Sequence, residues 1–445
     1  MSLQSTPRAD RVHIGIFGLR NSGKSSLINA LTGQNIAIVS DVAGTTTDPV
    51  YKSMEVHGIG PCVFIDTAGF DDVGVVGELR NEKTQTVIDK TDIAIMVIDP
   101  LMSLSQNASI SSSNYLSKNV LSDDEIRWLD ALKAINTPII AVLNKVDLYQ
   151  TDSLDSYNRD DQGITTGQKT KSKKSARETN IVEKILEEKA DVYDIPVIPV
   201  STITYEGIDL LREQLIRSLP ADFESDSITG KLANEGDVVL LVMPQDIQAP
   251  KGRLILPQVQ VIRELLDKKC IVQCVTTDKL DEGLAALASP PNLIITDSQV
   301  FRTVYDKKPE ESMLTSFSVL LAGYKGDMQY FVESANAIEG LTEESKVLIA
   351  EACTHAPLEE DVGRVKIPAM LCKRFGQNLH VDVVGGNDFP SDLSPYDLII
   401  HCGACMFNRK HVLSRIEKAR KAGVPMSNYG VTMAYLSGIL DKISI

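Results

Sequence analysis

Long apolar runs are missing from this chain of 445 residues. None approaches the roughly 20 consecutive apolar residues that a membrane-crossing helix needs, so no membrane partner is expected. Basic charge is short too: 45 Lys and Arg face 60 Asp and Glu, a formal net charge of −15. Phosphate neutralisation needs the opposite balance, so no nucleic-acid partner is expected either. Aromatics are sparse, and no basic, aromatic-interleaved tail is present. Only about ten residues precede the first strand-like run, too few for a secretory leader, and a cytoplasmic location is expected. The seven cysteines are an odd number, a poor basis for a disulfide framework. Cys62, Cys270 and Cys274 lie in or beside apolar strand-like runs and read as core. Cys353, Cys402 and Cys405 are different. Of the six histidines, His13, His57, His380 and His411 match no motif.

What is present is a strand–helix alternation. Strands are expected at Val12–Phe17, Val50–Val56, Val63–Asp66, Ile93–Asp99, Ile139–Asn144 and Val197–Val200, with helices at Lys24–Leu31, Glu78–Asp89, Asp123–Ile135 and Gly207–Ser218. This is the pattern of a doubly wound α/β domain over residues 1–220. Polar stretches at 103–118 and 150–178 read as surface insertions. The periodicity lapses near Leu219–Lys231. A second, smaller α/β unit over 231–310 has strands Asp237–Met243, Cys270–Thr276 and Asn292–Thr296 and a helix Pro257–Lys268. A third over 311–445 opens, after Leu314, with the apolar run FSVLLAG as a strand. It continues through strands Val347–Glu351, His380–Val384 and Leu398–His401 to a helix Arg409–Ala422.

Between the first strand and helix, Gly18-Leu-Arg-Asn-Ser-Gly-Lys-Ser25 fits the phosphate-binding loop GxxxxGK[ST]. Its glycines let backbone N–H groups wrap phosphates at a helix N-terminus. The binding set is Gly18, Asn21, Ser22, Gly23, Lys24, Ser25 and Ser26. Lys24 reaches the β- and γ-phosphates, and the Ser25 hydroxyl ligates Mg²⁺. Asp66-Thr-Ala-Gly69 adds a water-mediated Mg²⁺ carboxylate in Asp66 and a γ-phosphate sensor in the Gly69 N–H. Asn144-Lys145-Val-Asp147 follows a buried strand, and the Asp147 carboxylate can accept from guanine N1–H and N2–H₂, donors that adenine lacks. Ser201 and Thr202 follow the next strand, where a base-contacting loop belongs. The order of these elements specifies GTP and GDP with Mg²⁺, and a GTPase.

The same motifs resemble the TrmE–Era branch of the translation-factor-like GTPases across residues 10–220. Gly44-Thr-Thr-Thr-Asp48 is similar to that branch's first switch segment, which implies Thr46 as a Mg²⁺ ligand. Phe70 stands where Ras-like enzymes have a water-orienting Gln, so slow hydrolysis or a recruited group is expected. Asn21 matches the Asn that binds K⁺ in potassium-activated members. Glu82 matches only loosely an acid that orients water in relatives, and the reading of a surface helix residue is favoured over it. The catalytic set is therefore Lys24, Thr46, Asp66, Gly69 and Glu82.

In the last domain Cys353-Thr-His355 follows strand VLIAE, and His401-Cys-Gly-Ala-Cys405 follows strand DLIIH. All five donors lie beyond the carboxyl ends of strands, where α/β sheets bind ligands. Chemistry alone leaves open a 4Fe–4S cluster on three thiolates or a Cys₃His zinc, with buried free thiols as a lesser alternative. CxH, a gap of about 45 residues, then HCxxC, following a TrmE-like GTPase, resembles the HydF family of FeFe-hydrogenase maturation GTPases. So do the strings CGACMFNR and Ser427-Asn-Tyr-Gly430. The resemblance implies Cys353, Cys402 and Cys405 as cluster ligands, with His355 and His401 as optional ligands or supporting groups. It further implies a middle dimerisation domain, a homodimer, and a scaffold that takes a diiron precursor from two radical-SAM maturases to apo FeFe hydrogenase. Other classes remain: a ribosome- or RNA-linked assembly GTPase with a structural zinc, and a cluster-dependent redox switch.

Overall fold

Val12–Phe17 (β1) is buried at all six positions, as a strand covered on both faces must be. The computed structural model describes residues 7–33, 50–56, 58–67, 84–99, 121–148, 195–219, 227–244, 254–352 and 361–445. They form two compact units, one of Arg11–Pro220 and one of Pro7–Asp10 with Ala221–Ile445. No helix among these residues is long and apolar enough to cross a membrane.

In the first unit β1 is central to a six-stranded sheet with Val50–Val56 (β2), Gly60–Asp66 (β3), Ile93–Ile98 (β4), Ile139–Leu143 (β5) and Val197–Pro199 (β6). The order is β2-β3-β1-β4-β5-β6. β2 is antiparallel to β3 and the remaining pairs are parallel. Register sets Ile16 beside Asp66 and Ile98 beside Leu143. The chain thus turns out of β1, β3 and β5 at the same end of the sheet, the crevice where such sheets bind ligands. β4 and β5 are buried throughout, and each fully buried Ile or Leu contributes about 1.5–3 kcal/mol. The helix Asp123–Ala134 starts at a capping box in which Ser122 and Glu125 satisfy each other's backbone N–H. The polar stretches 103–118 and 150–178 and the start of the expected helix Glu78–Asp89 lie outside the described residues.

The second unit holds two four-stranded parallel sheets. One joins Val238–Val242 (β7), Ile271–Val275 (β8), Leu293–Thr296 (β9) and Met313–Ser316 (β10), in the order β10-β9-β7-β8. The other joins Lys346–Ala350 (β11), His380–Val384 (β12), Leu398–His401 (β13) and Met426–Asn428 (β14), in the order β12-β11-β13-β14. One expectation is corrected here. FSVLLAG is not a strand but the start of a helix, Phe317–Lys325, capped by the Ser316 hydroxyl accepting from Val319 N. Its side chains enter three cores: Val319 packs with Leu240 and Ile294, Phe317 and Leu320 with Leu241 and Ile295, and Ala322 with Ile349 and Ile400. A helix buried on nearly all sides shows no 3.6-residue stripe, so its sequence reads like a buried strand. The strand is the four residues before it, pairing with β9.

Candidate functional site

The phosphate loop leaves β1 through two glycines whose backbone nothing else could adopt in place. Gly18 has φ 145°, and a Cβ there would lie 2.2 Å from the Val97 carbonyl; Gly23 has φ 94°, and a Cβ would meet the Asn144 amide at 2.1 Å. Gly23 then caps the helix Lys24–Thr32, whose free N–H groups carry partial positive charge. Lys24 is buried, and its ammonium donates to the Gly18 and Leu19 carbonyls at 2.7 Å each. The ammonium is thereby folded over the loop it serves. Ser25 Oγ donates to Asp66 Oδ2 at 3.0 Å. A hydroxyl from the loop and a carboxylate from β3 converge there, the oxygen chemistry that Mg²⁺ takes.

Two of the residues expected to recognise the base, Asn144 and Lys145, brace the same loop. Asn144, fully buried, donates through Nδ2 to the Ser22 carbonyl at 2.9 Å. Lys145, at φ 63°, donates to the Asn21 carbonyl at 2.8 Å and pairs with Asp99 at 2.7 Å. Asp147 accepts from the Ser201 hydroxyl at 2.6 Å. Ser201 is fully buried, and its Oγ accepts in turn from Ile203 N and Thr204 N. Ser201 therefore sets Asp147 rather than the base itself, and Thr202 stands next to it half-buried. Ser26 is exposed on the first helical turn, and Asn21 is exposed in a left-handed conformation at φ 61°. Thr46, Gly69, Phe70 and Glu82 lie outside the described residues. Sequence reasoning passed over Asp99, whose only signal was an acidic residue at the end of a buried strand.

In the second unit the HCxxC segment leaves β13 into a short loop before the helix Arg409–Ala422, capped by Asn408. Cys402 Sγ accepts backbone N–H from Ala352 at 3.0 Å and Ala404 at 3.4 Å. Ala352 follows β11, so the two neighbouring strand ends that carry the expected donors are joined through this sulfur. Burial, reinforced by the nearby Cys405, pushes the Cys402 thiol up to about 11, while the two N–H bonds and Arg415 pull the other way. Cys405 is half-buried. His401 is fully buried and both its ring nitrogens are engaged, Nδ1 donating to the Cys402 carbonyl at 2.8 Å and Nε2 accepting from Arg415 at 3.0 Å. Burial and the Arg415 charge hold its pKa down at about 3, so it stays neutral. Arg415 lies between the Phe389 and Phe407 rings, 4.7 Å from each centroid. Cys353 and His355 lie outside the described residues, among which no group of three or more His, Cys, Asp or Glu is placed to hold a metal ion. A half-buried loop, paired thiols and N–H groups aimed at sulfur fit a thiolate-bound metal centre.

Cys62 and Cys270 are buried, as expected of core cysteines, but Cys274 is not core: it is exposed on β8, the edge strand of its sheet. His13 is used structurally, its Nδ1 against the Arg11 carbonyl at 2.9 Å.

Comparison with known proteins matches three stretches of the chain. Residues 13–145 match the family model described as 50S ribosome-binding GTPase. Residues 228–326 match the hydrogen maturase F dimerization domain, and residues 329–444 the hydrogen maturase F tetramerization domain. GTPase Der of Wolinella succinogenes is 46% identical over 91 residues, 20% of this chain and 19% of that protein. The tRNA modification GTPase MnmE of Acetivibrio thermocellus is 28% identical over 242 residues, 52% of this chain and 48% of that protein. The chain thus spans less than half the length of these curated relatives. Among solved structures, the match to the G domain of the T. maritima FeoB iron transporter covers 47% of this chain and 99% of that chain at 18% identity, with a TM-score of 0.28.

Proposed function

The chain belongs to the hydrogen maturase F family, and from that premise we propose that it is a GTP-hydrolysing scaffold that holds a 4Fe–4S cluster and passes a diiron precursor to apo FeFe hydrogenase. The observation that carries the cluster is Cys402, whose sulfur takes two backbone N–H bonds at the junction of β11 and β13. Cys402 and Cys405, with Cys353 from the end of β11, would hold the group, which supplies an iron for an exchangeable ligand. His401 supports the loop from behind through the Cys402 carbonyl. Its two nitrogens are already used, which favours a supporting role over ligation.

On the nucleotide side Lys24 binds the β- and γ-phosphates, Ser25, Asp66 and Thr46 hold Mg²⁺, and Asn144, Lys145 and Asp147 select guanine with Ser201 and Thr202. Asn21 is assigned to K⁺, which would act as a cation beside the phosphates in place of an arginine finger. Gly69 senses the γ-phosphate, and Glu82 orients water. The partners are two radical-SAM maturases and the apo hydrogenase, with the family's dimerization and tetramerization domains making the chain an oligomer built on a homodimer.

Anaerobic purification tests the cluster. The expected product is brown, with iron and sulfide and, after reduction, the EPR spectrum of a 4Fe–4S centre. Cys353→Ala, Cys402→Ala and Cys405→Ala should each lose iron while GTP hydrolysis persists, and Cys270→Ala should keep it. A colourless zinc protein, or iron loss confined to Cys270→Ala, refutes the assignment.

A further inference from the structure

The second unit contains a lysine where a buried apolar helix would be expected to carry none. Lys325 ends the helix Phe317–Lys325 and is only 1% exposed. Its ammonium donates to the Phe407 carbonyl at 2.7 Å and the Ala404 carbonyl at 3.4 Å, both within the loop that carries Cys402 and Cys405. Its third neighbour is Asp10 Oδ1 at 3.5 Å. Asp10 is itself fixed, its other oxygen accepting from Gln260 Nε2. Two carbonyls accept its N–H donors, and Asp10 faces it as an ion-pair partner rather than through a hydrogen bond. A charge this deep is retained only where something compensates it. One carboxylate does so in part, and the two cysteines are the other negative centres that act on it. Burial lowers its proton affinity, while Asp10, then Cys405, and more weakly Cys402 raise it.

Resting on the cluster reading above, we propose that Lys325 is a positioning and charge-compensating residue for the thiolate site, with Asp10 as its resident counter-ion. Its two carbonyl contacts lie one between the cysteines, at Ala404, and one between Cys405 and the helix Arg409–Ala422, at Phe407. Ala404 needs such support, since it is a non-glycine residue at φ 53°. The ammonium also places one positive charge beside two thiolates, and net charge near the sulfurs is among the quantities that set a cluster's reduction potential.

The test reads that potential, by EPR-monitored redox titration of anaerobically reconstituted full-length protein. Lys325→Met removes a positive charge and should shift the potential downward. Asp10→Asn removes a negative charge from the same pair and should shift it upward. The double variant should return close to wild type. Opposite signs are what charge predicts, because mere loosening of the loop would move both single variants the same way. Equal potentials, or shifts of one sign in both, overturn the inference. If Lys325→Met does not fold, as judged by its far-UV circular dichroism, Asp10→Asn decides alone: an upward shift supports and an unchanged potential refutes. Wild-type protein that takes up no iron or sulfide overturns the cluster reading itself, a failure distinct from the others.

Discussion

Replacing Ser201 by Ala should weaken guanine nucleotide binding without touching the nucleotide. The Ser201 hydroxyl donates to Asp147 at 2.6 Å and accepts two backbone N–H groups, so it fixes a carboxylate that would otherwise rotate. A hydrogen bond to a charged group is worth about 1.5–3 kcal/mol. The part transmitted to binding is the orientation of Asp147, and an expected loss of about 1.4 kcal/mol is tenfold in Kd. Asp147→Ala removes both base contacts and should cost at least about hundredfold by the same scale. Because Ser201 acts through Asp147, the double variant should bind within about 0.5 kcal/mol of Asp147→Ala alone. The assay is titration of a fluorescent GDP at fixed Mg²⁺ and salt, repeated with inosine diphosphate, which lacks the 2-amino donor. The preference for GDP over inosine diphosphate should fall in Ser201→Ala. An unchanged GDP affinity, or strictly additive single and double variants, refutes the reasoning.

Hydrolysis should be slow and faster in K⁺ than in Na⁺ at equal ionic strength, with Asn21→Ala erasing the difference; equal rates in the wild type remove Asn21 from the mechanism. Lys24→Ala should impair nucleotide binding or turnover in either salt, and unaltered values would dissociate the buried ammonium from phosphate binding. Glu264 accepts from Ser227, Ile228 and Thr229. Burial works to raise its pKa, but these bonds together outweigh it and hold the carboxyl below its usual range. A depressed carboxylate stabilises the fold above its unfolded pKa, and that stabilisation is lost as pH falls through the folded value. Glu264→Gln should therefore lower the thermal midpoint at neutral pH, by about 1–3 kcal/mol of stability, with the gap to wild type closing below about pH 4. A gap independent of pH would contradict the sign.

Much of the nucleotide site was legible because its chemistry is local. Gly18, Gly23, Lys24 and Ser25 occur in one run, and β1, β3, β4 and β5 are apolar enough to be read as buried strands. The cross-links were not legible. Nothing in the spacing says that Asn144 braces the Ser22 carbonyl 122 residues away, or that Asp99 answers Lys145. These contacts exist because parallel strands bring their carboxyl ends together, a property of topology rather than of any segment. The second unit was harder for the same reason. Phe317–Lys325 touches three cores and so lacks periodicity, and its one charged terminus reads as a surface lysine until the loop above it is seen. The signal was there in a weak form, a lysine closing an apolar run.

The arrangement also bears on what GTP can do for a scaffold. Every described residue assigned to nucleotide lies in the first compact unit, and Cys402, Cys405, His401 and Lys325 all lie in the second. None of the nucleotide residues supplies a reactive group for chemistry at sulfur, and none of the thiols stands in the phosphate loop. Hydrolysis removes the γ-phosphate, whose contacts hold switch segments of this kind in one conformation. A ligand shifts an equilibrium only by its differential affinity for two states, so on the scaffold reading proposed above the expected effect of the nucleotide is a change in affinity for a partner. Coupling of that kind typically amounts to about 1–3 kcal/mol between sites. That is enough to change a partner's affinity by one or two orders of magnitude, and it requires no transfer of phosphoryl energy to iron.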